Sequence, residues 1–230
     1  MRPGLKLLIP IIAFAIYSCG TTQLNSKIPR EPESAESLFV TAEKLLQSNS
    51  YENALKVYHE FLACYPSDSD ADTALMRIAT IYSNQEKYGL SRMAYQRLAT
   101  EYPHSEFATD ALIEIMMFFF NDGQFKEVIL QASKIIEKSD SITHLSRTYE
   151  VLGDTYLSLK SPKEAILFYQ MANPSKREIL PSKFKDAVNQ LSEEDRLSLL
   201  EKLNDQFLTS YLLFERGLYQ FQNENYKEAL

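Results

Sequence analysis

The side chains able to do covalent or acid–base chemistry in this chain are few and scattered. They are two cysteines, Cys19 and Cys64, three histidines, His59, His104 and His144, and the acidic run Glu193-Glu194-Asp195. A histidine that works as a base needs a nucleophile or carboxylate within hydrogen-bond reach, and a metal site needs several ligands at short intervals. No histidine has such a companion in sequence, and no glycine-rich phosphate loop or serine nucleophile motif occurs. Glu193 to Asp195 follow Ser192 in the pattern of a negatively charged first helical turn. The expectation is a protein that is not an enzyme, with no catalytic residue, no metal and no cofactor. Two features remain that could act otherwise: the Cys19 thiol, which closes an apolar run, and Leu112-Ile-Glu-Ile-Met-Met-Phe-Phe-Phe120, with a single polar residue.

Arg2 and Lys6 precede the apolar stretch Leu7 to Tyr17, which ends in Ile16-Tyr-Ser-Cys19. That order reads as an export signal. The run is too short for a transmembrane helix, which takes roughly 20 apolar residues. A small residue directly before Cys at the end of such a run resembles the bacterial lipobox. The resemblance implies cleavage after residue 18 and a diacylglyceryl group on Cys19, each buried methylene of which adds about 0.8 kcal/mol to membrane binding. Gly20 rather than Asp comes next, which by resemblance to enterobacterial lipoproteins implies the outer membrane, with the folded part facing the periplasm. If Cys19 is acylated, Cys64 is left as the only thiol and no disulfide forms within the chain. In Phe61-Leu-Ala-Cys-Tyr65 it reads as a small buried hydrophobe. Residues 19–34 hold Pro29 and Pro32 among polar side chains and read as a tether, with a reach of about 50 Å when extended.

The folded part must come from the residues after 34, and there the chain repeats itself. Ala54, Ser91, Val128 and Ala165 are spaced by 37 residues, a period that means stacked helical units. Around them the same order returns: Tyr51-Glu-Asn-Ala-Leu-Lys-Val-Tyr58 closing at Tyr65-Pro66, then Tyr88-Gly-Leu-Ser-Arg-Met-Ala-Tyr95 closing at Tyr102-Pro103. Each unit divides into two amphipathic helices around a short polar turn, at 47–50, 83–87, 121–124 and 159–161. The prolines stop the second helix, since proline lacks an amide donor and forces its predecessor toward extended geometry. Composition agrees: 45% of residues are hydrophobic, Trp is absent and Gly numbers 6. With Lys and Arg at 24 against 31 Asp and Glu, scattered basic residues argue against nucleic acid as a partner.

These residues resemble the tetratricopeptide repeat, most fully in the fourth unit, where Tyr149, Leu152, Gly153, Tyr156, Ala165, Tyr169 and Ala172 stand in the family's order. The resemblance implies an all-α fold, an α-α superhelical solenoid of helical hairpins, with four units over 35–172. The third unit departs from the pattern, with Met116, Val128 and Ala132, and lacks the closing proline. Residues 173–207 read as an inserted helical hairpin, with helices over 183–191 and 193–203 and a capping box from Ser192 to Asp195. A fifth unit opens at 208–230 with Leu213, Gly217 and Phe221 and stops within its second helix, which reads as a fragment of a longer protein.

In tetratricopeptide arrays the inner groove takes partner segments. The positions that resemble that groove are Phe39 and Leu46 of the first unit with Ile113, Met117 and Phe120 of the third, a candidate apolar slot for a partner helix or peptide. Burial of this apolar helix between its neighbours is the plainer alternative. Residues 35–120 resemble outer-membrane assembly lipoproteins of the BamD type, which implies a scaffold docking onto β-barrel assembly machinery. Taken whole, with the segment Phe184-Lys-Asp-Ala-Val-Asn-Gln-Leu-Ser-Glu-Glu, the chain resembles the amino-terminal part of penicillin-binding-protein activators. That implies peptidoglycan synthesis machinery as partner and a binding-protein-like domain to come after it. Self-association through the apolar third unit is a third possibility.

Overall fold

The structure, a computed structural model, describes residues 33–172, 182–203 and 206–222. Among these residues all regular structure is helical. The helices are α1 (Ala35–Gln47), α2 (Tyr51–Cys64), α3 (Ala71–Asn84), α4 (Tyr88–Glu101), α5 (Ala108–Asn121), α6 (Phe125–Lys138), α7 (Ile142–Ser158), α8 (Pro162–Ala172), α9 (Ser182–Asn189), α10 (Glu193–Leu200) and α11 (Gln206–Gln222). The chain divides into two compact units, Met1–Ala71 and Asp72–Leu230. The signal and tether segments expected before Glu33, and the second helix expected over 226–230, lie outside the described residues.

One turn design closes α1, α3, α5 and α7. Asn49, Glu86, Gly123 and Lys160, again spaced by 37, have φ of 58°, 58°, 70° and 60°. Their amides donate to the carbonyls of Leu46, Ser83, Phe120 and Leu157. The next amides, of Ser50, Lys87, Gln124 and Ser161, reach back to Leu45, Tyr82, Phe119 and Tyr156 at 2.8, 2.9, 2.8 and 2.9 Å. This is the Schellman arrangement, which satisfies the otherwise orphaned carbonyls of a helix end and reverses the chain. It needs one left-handed residue, and only one of the four is glycine.

The reversal brings two positions of each hairpin together. Ala42 and Ala54, Ala79 and Ser91, Met116 and Val128, and Gly153 and Ala165 are all buried. Ser91 is compatible with that burial because its hydroxyl donates to the Ala79 carbonyl at 2.9 Å. At Gly153 any Cβ would overlap the Tyr169 ring, so the glycine sets how closely α7 and α8 approach.

Within the first unit, Leu38 and Ala42 of α1 and Ala54, Leu55, Tyr58, Phe61 and Leu62 of α2 are buried. The Tyr65 hydroxyl donates to the Glu33 carbonyl at 2.7 Å and ties the entry of α1 to the end of α2. Cys64, expected as a lone buried thiol, is instead half-buried and disulfide-bonded. It is the last residue of α2, where the helix no longer shields it. The chain's other cysteine, Cys19, lies outside the described residues.

In the second unit, Ile113, Met116, Val128, Ala132, Ile135, Val151 and Leu152 form one core of α5, α6 and α7. A second core joins Ala165, Ile166 and Tyr169 of α8 to Phe184, Ala187 and Val188 of α9, Leu199 of α10 and Leu212 of α11. The hairpin of α9 and α10 thus shares its apolar face with the fourth repeat. Its turn is held by Arg196, whose guanidinium donates to the Val188 and Leu191 carbonyls at 3.2 and 3.5 Å. The cap expected at Ser192 is present: its hydroxyl oxygen accepts from the Asp195 amide at 3.1 Å. No described helix is long and apolar enough to cross a membrane.

Candidate functional site

The second helix of three repeats carries a tyrosine, at 58, 95 and 169, that bonds to the first helix of its own repeat. The Tyr58 hydroxyl donates to Glu43 Oε1 at 2.5 Å, Tyr95 bonds the Thr80 side chain, and the Tyr169 hydroxyl donates to Asp154 Oδ1 at 2.7 Å. Burial, and then the hydrogen bond to Asp154, push the Tyr169 hydroxyl far above its ordinary value, so it stays a donor. Burial followed by the Glu114 charge raises Tyr95 in the same direction. The partners Glu43, Thr80 and Asp154 occupy one position of the 37-residue period, and in the third repeat that position is Met117. The matching tyrosine position is Ala132, which is buried.

The third repeat is therefore a coordinated change. Ala132 removes a ring, and Met116 and Val128, larger than their counterparts Gly153 and Ala165, are fully buried in the same core. Side-chain bulk moves from the tyrosine position to the crossing while the polar pair is lost, a compensation that close-packed cores tolerate. The consequence at the surface is local. Met117 and Phe120 are half-buried at the margin of this core, with the Phe120 ring 6.0 Å from Phe125.

The sequence-predicted groove residues divide accordingly. Ile113 is fully buried in the core of α5, α6 and α7, which corrects its assignment to an open groove. It is turned under the helix because it faces the packed neighbours. Met117 and Phe120 border the same core and keep an exposed part. In the other unit Phe39 lies 6.1 Å from the Tyr58 ring and 5.5 Å from Phe61, and Leu46 is half-buried beside the α1 turn. Glu43 and Thr80, at one position of the period, are both engaged with tyrosines.

Sequence reasoning missed a polar constellation at the start of α7. His144, read as isolated, places Nε2 3.3 Å from Asp110 Oδ1 and Nδ1 3.2 Å from Ser139 Oγ. One turn on, Arg147 pairs with Glu114 at 2.5 Å, so two cross-links run from α7 to α5. An aspartate, a histidine and a serine in series resemble a nucleophile-activating relay, which works only if the hydroxyl is presented to substrate beside oxyanion donors. Ser139 is buried, and its oxygen accepts from the Ser141 amide at 3.3 Å. The constellation ties α5, the end of α6 and the start of α7 together. No metal-ligating group of three or more side chains occurs among the described residues.

No protein-family model matches the chain, and no curated protein matches it in sequence. Solved structures match in fold. The structure reported in a functional characterization of Pseudomonas aeruginosa PilF aligns with a TM-score of 0.51 at 17% identity, covering 85% of this chain and 86% of that one. YrrB, described as a TPR protein with an unusual peptide-binding site, aligns at 0.47 and 15% identity over 85% and 90% of the two chains. PilW, described as a widely conserved type IV pilus biogenesis factor, aligns at 0.37 and 13% over 87% and 98%. The fold class is thus all-α, of the tetratricopeptide type.

Proposed function

We propose that the chain is a non-enzymatic adaptor of the bacterial cell envelope that holds partner proteins through its repeats, anchored by lipid on Cys19 in a form whose Cys64 disulfide is not made to Cys19. The observation that carries the reading is the third repeat, where Met117 stands at the position that other repeats fill with a tyrosine-bonded polar group and forms an apolar margin with Phe120. A partner segment with apolar side chains, helical or extended, suits that margin. The partner belongs to outer-membrane β-barrel assembly machinery, as for BamD-type lipoproteins, or to peptidoglycan synthesis machinery, as for penicillin-binding-protein activators. The hairpin of α9 and α10 succeeded by α11 favours the second, since that resemblance includes the segment from Phe184 onward.

The test is a pull-down from envelope extract with the full chain and with Met117→Glu and Phe120→Glu, thermal unfolding being tracked alongside. Loss of a heterologous partner with unfolding unchanged supports the adaptor. Loss of a dimer by light scattering supports self-association instead, and a lowered unfolding temperature assigns both residues to the core. The anchor has a separate test. A thioether on Cys19 leaves its sulfur unable to form a disulfide, so acylation and a Cys19–Cys64 bond exclude each other within one chain. Peptide mass spectrometry at position 19 decides between them, and membrane association unchanged in Cys19→Ala removes the anchor from the proposal.

A further inference from the structure

No further inference is drawn: the strongest candidate, the exposed apolar residues Leu90 and Met93 of α4 and Leu130 of α6 on the outward faces of successive second helices, carries nothing because nothing in the structure shows what covers it.

Discussion

The third and fourth repeats solve the same packing problem in opposite ways. In the fourth, Gly153 and Ala165 bring two helices close and Tyr169 fills the space beyond, bonded to Asp154. In the third, Met116 and Val128 fill the crossing themselves and Ala132 stands where the ring would be. A tyrosine and a large crossing residue compete for one volume, as the overlap of a Cβ at Gly153 with the Tyr169 ring shows. The repeats are entered differently too. Tyr102-Pro103 ends α4, and the turn before α5 is held by Ser105, whose hydroxyl oxygen accepts from the Phe107 amide at 3.1 Å. Ser139-Asp140 has no proline to stop the chain, Ser141 caps at once, and α7 begins at 142, three residues before the period would start it. That added turn carries His144 to Asp110. A pattern that looks degenerate residue by residue is thus a set of linked exchanges, in volume at the crossing and in capping at the joint.

The largest expected effect comes from breaking the volume exchange. Met116→Ala should cost about 2–5 kcal/mol, because a fully buried side chain leaves a cavity that its neighbours only partly fill. Ala132→Tyr should cost about 1–3 kcal/mol by overpacking. If the two positions trade one volume, the double variant is more stable than the sum of the singles predicts, by about 1 kcal/mol or more in urea denaturation. Strict additivity would falsify the exchange.

Gly153→Ala comes next, with an expected loss of about 1–3 kcal/mol, since the new methyl must displace a buried ring that Asp154 holds by its hydroxyl. Adding Tyr169→Phe to that variant frees the ring and should recover part of the loss. A Gly153→Ala protein that unfolds at the parental midpoint would mean that α7 and α8 can separate freely.

The joint is expected to contribute less. Asp110 and His144 are partly exposed, so solvent screens their interaction, and a double-mutant cycle with Asp110→Ala and His144→Ala should give a coupling of about 0.5–1 kcal/mol. A coupling near zero would leave the added turn of α7 resting on the Ser141 cap and apolar packing alone.

Much of this was legible in advance, and the exceptions have physical causes. The period, the hairpins, their turns and the cap at Ser192 arise from local rules that act within a few residues, and the helices appear where the spacing of small residues and prolines puts them. Burial of this helix was one of the readings, but the division between a buried Ile113 and a partly exposed Met117 and Phe120 was not legible, because an apolar helix offers no polar stripe to mark its outer side and spacing alone puts the three on one face. The contact of His144 with Asp110 joins residues far apart in sequence, and its only local sign was Asp140 where proline stands in the earlier repeats. The hydroxyl partners of Tyr58 and Tyr169 were within reach of the sequence: each acid lies 15 residues before its tyrosine, the spacing fixed by the hairpin.

The left-handed turn residues give the smallest expected effect and the cleanest comparison between these repeats. Gly123 closes α5 and Lys160 closes α7 with nearly the same φ, yet only glycine adopts that conformation without its side chain crowding the carbonyl. Lys160→Gly, and Glu86→Gly in the second repeat, relieve about 1–2 kcal/mol of backbone cost per residue and give back part of it through the freedom glycine adds to the unfolded chain. A net gain of about 0.5–1 kcal/mol is expected in each, with Gly123→Ala losing a similar amount, all three read from denaturation midpoints at constant slope. Gly123 has no neighbour within 4 Å of a Cβ, so its loss would report backbone conformation alone. Should Lys160→Gly destabilise instead, the lysine side chain would have to contribute more to the α7 turn than its left-handed conformation costs.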